Sequence, residues 1–172
     1  ILQPIILTEY PSNLTLSKIL QLEREGHKIP SWDDTIKLIN IYGIASGMKF
    51  LHSNQILHRD LNPESIFLDD HLFPKIGNFA FLTKNHTLQS MTYQSTAQIK
   101  GNPNYSAPEI LTMNDYSISS DVYSFALIVY EIMTNKIPYK NANNLIELIN
   151  DIAKKGLRPS FNKSIPDCYR DL

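Results

Sequence analysis

His58-Arg59-Asp60-Leu61-Asn62-Pro63-Glu64-Ser65 gathers an imidazole, a guanidinium, a carboxylate, an amide and a hydroxyl in one short stretch. Asn78-Phe79-Ala80 follows it closely. A carboxylate such as Asp60 can accept or orient the proton of an attacking hydroxyl. Phosphoryl transfer asks for that group. It also asks for cations against the transferring phosphates and for anionic or carbonyl oxygens on the metals. Here the carboxylate is present, while Asn62, Ser65 and Asn78 are neutral.

Strands and helices must position these groups. Ile5-Ile6-Leu7-Thr8-Glu9-Tyr10 reads as a buried strand closed by a turn at Pro11-Ser12-Asn13. Leu14, Leu16, Ile19, Leu20 and Leu22 have a rough helical spacing that stops near Gly26. Ser31 is a good N-cap for a second helix, with Asp33 and Asp34 in its first turn, running to about His52. Ile36, Ile39, Tyr42, Ala45, Met48 and Leu51 recur at three- and four-residue steps and predict its apolar face. Gly43 and Gly47 predict close approach of another helix. Short strands are expected at 66–68 and 73–76, around a solvated turn at Asp69-Asp70-His71. Residues 82–100 are polar and weakly periodic, as in a long loop. Residues 121–133 predict a helix buried nearly all round. Residues 144–155 predict an amphipathic one through Leu145, Ile146, Leu148, Ile149 and Ile152.

Taken in order, these segments resemble a eukaryotic protein kinase, with its catalytic loop, metal-binding triplet and A-P-E motif. Leu51-His52 before Ile56-Leu57-His58-Arg59-Asp60 is similar to the family's helix end and loop. Gly101-Asn102-Pro103-Asn104-Tyr105-Ser106-Ala107-Pro108-Glu109 resembles the Ser/Thr-type G-T-P-x-Y-x-A-P-E segment. Asp121-Val122-Tyr123-Ser124-Phe125-Ala126 resembles the opening of the buried helix. Gly156-Leu157-Arg158-Pro159 is similar to the G-x-R-P of tyrosine-kinase-like Ser/Thr kinases.

The resemblance implies a mainly α fold with a few short β-strands. That fold is the large C-terminal lobe plus the last strands and hinge of the small lobe. Residues 1–172 are then one incomplete kinase-like domain: about 1–10 end the small lobe and hinge, and 11–172 form the large lobe, short of its last helices. The resemblance also implies roles. Asp60 is the catalytic acid, and Asn62 stands at the phosphate-contacting position. Thr8, Glu9 and Tyr10 fall on the gatekeeper and hinge, and Phe67 floors the adenine. Ser65 and Asn78 occupy metal positions. Asp121 accepts bonds from catalytic-loop amides. Glu109 takes the place of the A-P-E acid, which pairs with an arginine late in the domain. Arg59 pairs with a phosphate carried by Thr83, Thr87, Ser90, Thr92, Ser95 or Thr96. ATP and Mg2+ are the implied cofactors, and a protein substrate or signalling partner the implied partner.

Several positions depart from that pattern. Asn62 replaces a lysine, Ser65 an asparagine, Asn78 an aspartate, Ala80 a glycine and Asn102 a threonine. Magnesium prefers anionic oxygen. A unit charge pair at about 4 Å is worth roughly 4 kcal/mol at an effective dielectric of about 20. Losing that much transition-state stabilisation slows a reaction roughly a thousandfold. No Gly-rich loop or V-A-I-K-like segment occurs in the chain. The expected function is therefore an impaired, pseudokinase-like domain with a signalling or scaffolding role. An active atypical Ser/Thr kinase, when full length, stays open as the alternative. A decayed copy that does not fold is disfavoured by the intact apolar faces.

Composition narrows the setting. A net charge of -1 gives no reason to expect nucleic acid or an anionic membrane as partner. The longest apolar run, about 125–130, is far short of the roughly 20 residues a membrane span needs. Cys168 is the only cysteine, so no intrachain disulfide forms. An intracellular, cytoplasmic location is expected.

Overall fold

The computed structural model describes residues 14–79, 83–84, 101–140, 144–161 and 165. The expected strand and turn over 5–13 lie outside these residues, as does the polar segment 82–100 apart from 83–84. The architecture is mainly helical with short antiparallel strands. Strand β1 (Leu14–Thr15) leads directly into helix α1 (Leu16–Arg24), whose N-cap Thr15 accepts a bond from the Lys18 amide. Helix α2 (Asp34–Ser53) follows, then strands β2 (Ile56–Leu57), β3 (Ile66–Leu68), β4 (Pro74–Ile76) and β5 (Thr83–Lys84). A 3-10 turn at Pro103–Tyr105 precedes helix α3 (Pro108–Met113), the long helix α4 (Ile118–Thr134) and the short helix α5 (Leu145–Ile149).

The strands form two small sheets. One is ordered β1-β3-β4, with Thr15 opposite Phe67 and Ile66 opposite Ile76. The other pairs β2 with β5. The core lies among α1, α2, β3 and α4: Leu16, Ile19, Leu20, Ile44, Ile66, Ile128 and Ile132 are fully buried there. Burial of such side chains contributes about 1.5–3 kcal/mol each.

Several expectations are corrected. Ser31 does not cap α2; it sits at φ 64, in the left-handed region, and the Asp33 carboxylate accepts the Ile36 amide as the cap. Its buried face is Asn40, Ile41, Ile44 and Met48, whereas Tyr42 is 76% exposed. Apolar residues occur on several sides of this helix, so their spacing fitted more than one face. Gly43 and Gly47 face strand β4, not a helix: a Cβ at each would lie 2.5 Å from Pro74 Cγ and 2.6 Å from Ile76 Cδ1. Helix α4 begins three residues before the expected start, at a capping box of Ser117 and Ser120. The 144–155 segment is α5 followed by a π turn over Asn150–Lys154. It buries Leu148 and Ile152 while Ile146 is exposed. The expected strands at 66–68 and 73–76 form, the second starting at Pro74.

Candidate active site

The 58–65 loop emerges from β2 and is anchored from below by Asp121 in the first turn of α4. One Asp121 oxygen accepts the Arg59 amide at 3.0 Å; the other accepts the His58 amide at 2.9 Å and faces His52 Nε2 at 3.1 Å. Asp121 is 2% exposed, so its charge is held by donors rather than water. The expected loop-holding position of Asp121 matches this geometry. The anchor helps hold Arg59 in a left-handed conformation, φ 69, which L-residues with a Cβ rarely adopt.

His58 is fully buried and joins two segments. Its Nε2 lies 2.9 Å from the Gly77 carbonyl, and Nδ1 accepts the Asp60 amide at 3.4 Å. The ring also meets Phe79 edge-on at 6.1 Å. Burial lowers the imidazole pKa, against opposing pulls from the Gly77 carbonyl, Asp121 and Asp60. The neutral ring with its proton on Nε2 satisfies both contacts.

Asp60 is the hub of the site. Asn62 Nδ2 donates to Asp60 Oδ1 at 2.8 Å, and Asn78 Nδ2 donates to Oδ2 at 3.4 Å. The Asn102 backbone also bonds to this carboxylate. Gly101, at φ 96, passes so close that a Cβ there would lie 2.5 Å from Asp60 Oδ1. Burial raises the Asp60 pKa; the Asn62 bond, His58 and the Asn102 backbone bond oppose the rise, and Glu64 adds to it.

The neutral replacements bend inward. Asn62 is 4% exposed and closes its own turn, its Nδ2 also reaching the Asp60 carbonyl and its Oδ1 accepting the Glu64 amide. Ser65 is fully buried, its hydroxyl donating to the Asn62 carbonyl at 2.8 Å and accepting the Asn62 amide at 3.1 Å. Asn78 is exposed and left-handed, φ 59, a region that Asn tolerates better than most residues. Asn102 caps the 3-10 turn by accepting the Asn104 amide. Phe67 lies on β3, its ring against Gly77, where a Cβ would meet Cε2 at 2.5 Å. Thr8, Glu9 and Tyr10 fall outside the described residues. Arg59 stacks its guanidinium 4.2 Å above the Tyr116 ring.

A second buried polar cluster was not legible in the sequence. Glu131 of α4 is 1% exposed, pairs with Arg24 Nη1 of α1 at 2.8 Å and accepts the Tyr105 hydroxyl. It ties the middle of the 101–109 segment, at Tyr105, to α1 and α4. Its one signal in the sequence is a lone acid within the apolar run of α4.

The chain matches the protein kinase domain family over residues 3–169. It belongs to that family. It is 34% identical over 131 residues to the RAF proto-oncogene serine/threonine-protein kinase of Xenopus laevis, covering 74% of this chain and 20% of the relative. It is 38% identical over 133 residues to the Raf homolog serine/threonine-protein kinase of Caenorhabditis elegans, covering 75% and 16%. A probable serine/threonine-protein kinase, roco6, of Dictyostelium discoideum is 39% identical over 127 residues, covering 70% and 6%. The chain spans about a fifth or less of the length of these curated relatives.

Protein kinases generally use ATP and Mg2+. Ser65 and Asn78, the residues expected at metal positions, are a poor match for that ion. The Ser65 hydroxyl is buried and committed to Asn62. The Asn78 amide points its NH2 at Asp60, and its oxygen is neutral where magnesium prefers an anionic ligand. Among the described residues, no group of three His, Cys, Asp or Glu side chains converges as a metal site would.

Proposed function

We propose that this protein kinase domain is impaired in phosphoryl transfer and works in signalling by binding protein partners. The observation that carries the reading is the state of Asp60. A carboxylate that is to orient a substrate hydroxyl needs a free lone pair and cations nearby on the phosphate. Here lone pairs remain, but the donors that flank its two oxygens, Asn62 and Asn78, are neutral amides that bring no cation toward a phosphate. Asp60, Asn62, Ser65 and Asn78 are proposed as the remnant of the catalytic and metal positions, and Thr8, Glu9, Tyr10 and Phe67 as the adenine-side positions. The partners are proteins, in line with the Ser/Thr kinase names of the relatives. A cytoplasmic setting suits such a role.

The experiment is phosphate transfer by the full-length protein from labelled ATP to a generic protein acceptor, with Mg2+ or Mn2+. Turnover no higher than that of Asp60→Ala is expected. Turnover well above that variant supports the second reading, an atypical but working Ser/Thr kinase. That reading draws on the intact anchoring of His58 and Arg59 by Asp121.

A further inference from the structure

The 58–65 loop and the 77–79 segment meet through three hydrogen bonds and the His58–Phe79 ring contact. His58 Nε2 lies on the Gly77 carbonyl at 2.9 Å, and the Gly77 amide donates to the Ser65 carbonyl at 2.8 Å. The third bond is Asn78 Nδ2 on Asp60 Oδ2 at 3.4 Å. It joins a neutral amide donor directly to the carboxylate. A divalent ion placed there would need the amide to rotate, breaking the bond and presenting oxygen instead. Asn78 holds φ 59, a conformation Asn tolerates, with its side-chain nitrogen on Asp60. The far side of Asp60 is closed by Asn62 and by the Asn102 backbone, so this carboxylate also holds the 101–104 segment.

We propose that the Asn78 amide is a positioning group that bridges the 77–79 segment to Asp60 in place of a metal ion. The site is thereby held assembled in a metal-independent state. The inference rests on the impaired-kinase reading for its importance, but it is tested separately from catalysis. It makes Asp60 an acceptor that joins three chain segments, a role that requires no turnover. It also explains why a neutral amide suits position 78: a second carboxylate there would repel Asp60 unless a cation lay between them.

Hydrogen exchange on the full-length protein tests this, read at the backbone amides of 58–62 and 77–79 in Mg2+ and in EDTA. The wild type is expected to exchange equally in both. Asn78→Gly keeps the left-handed backbone and removes the amide; exchange in both segments should rise about tenfold in either condition. Asn78→Asp should exchange faster in EDTA and regain protection when Mg2+ is added, a response that a merely structural residue would not create. Stronger wild-type protection in Mg2+ than in EDTA would overturn the proposal, since the ion would then be the bridge. Unchanged exchange in Asn78→Gly would also overturn it, leaving the His58–Gly77 and Gly77–Ser65 bonds to hold the segments. Phosphate transfer measured in parallel reports on the functional reading and not on the bridge.

Discussion

Gly101→Ala should damage the site more than its size suggests. Gly101 sits at φ 96, and a Cβ there would lie 2.5 Å from Asp60 Oδ1 and 3.1 Å from its Cγ. Two costs follow. A residue with a Cβ at this φ carries roughly 1–3 kcal/mol of backbone strain. The carboxylate must also move, which breaks its bonds to Asn62 and to the Asn102 backbone. Asp60 is only half-buried, so water repays part of that loss; about 1 kcal/mol remains. The sum is roughly 2–4 kcal/mol, or a Tm lower by about 5–15 °C in a domain of this size. Gly26 supplies the control. It has φ 82, and a Cβ added there would meet nothing within 4 Å, so Gly26→Ala carries strain alone. Calorimetry and urea denaturation of both variants, with and without Asp60→Ala, give a double-mutant cycle. Removing the Asp60 side chain should bring the cost of Gly101→Ala down to that of Gly26→Ala. Equal losses for the two glycine variants in the parent protein, or additive losses with Asp60→Ala, would refute the contact as the cause.

Three further outcomes are expected. Arg24→Ala leaves Glu131 buried with only the Tyr105 hydroxyl, and should cost about 3–5 kcal/mol by urea denaturation. His58 has its folded pKa lowered from 6.5 by burial, so below pH 6.5 the unfolded chain binds a proton that the folded one does not. Stability should fall as pH drops from 6.5 toward the folded pKa, and His58→Asn should melt lower with a flatter pH dependence over that window. Gly43→Ala meets a rigid Pro74 ring, whereas Gly47→Ala meets the movable end of Ile76. In circular-dichroism melts the first should therefore destabilise the domain, by about 1 kcal/mol net of helix propensity, and the second should be near neutral.

The linear chain determined the family, the order of its motifs and most of its elements. His58, Asp60, Gly101 through Glu109 and Asp121 were legible because their types and spacing answer to local backbone needs and to one chemistry. The replacement of charge by Asn62 and Asn78, and of an amide ligand by Ser65, was equally legible, since charge and ligand type are properties of the residue itself. The tertiary structure decided what those neutral groups do. Ser65 could have faced outward as a weak ligand; the fold buries it, because its hydroxyl completes the Asn62 turn. Asn78 could have offered an oxygen; the fold turns its NH2 to Asp60, because β4 and His58 bring that segment over the carboxylate. Helix faces were decided the same way. The spacing in α2 allowed several faces, and only packing selected one: Ile41, Ile44 and Met48 join the core with α1 and α4, and β4 approaches Gly43 and Gly47. Glu131 shows the limit most clearly: its partners Arg24 and Tyr105 are far apart in sequence, and only packing brings them to one buried acid.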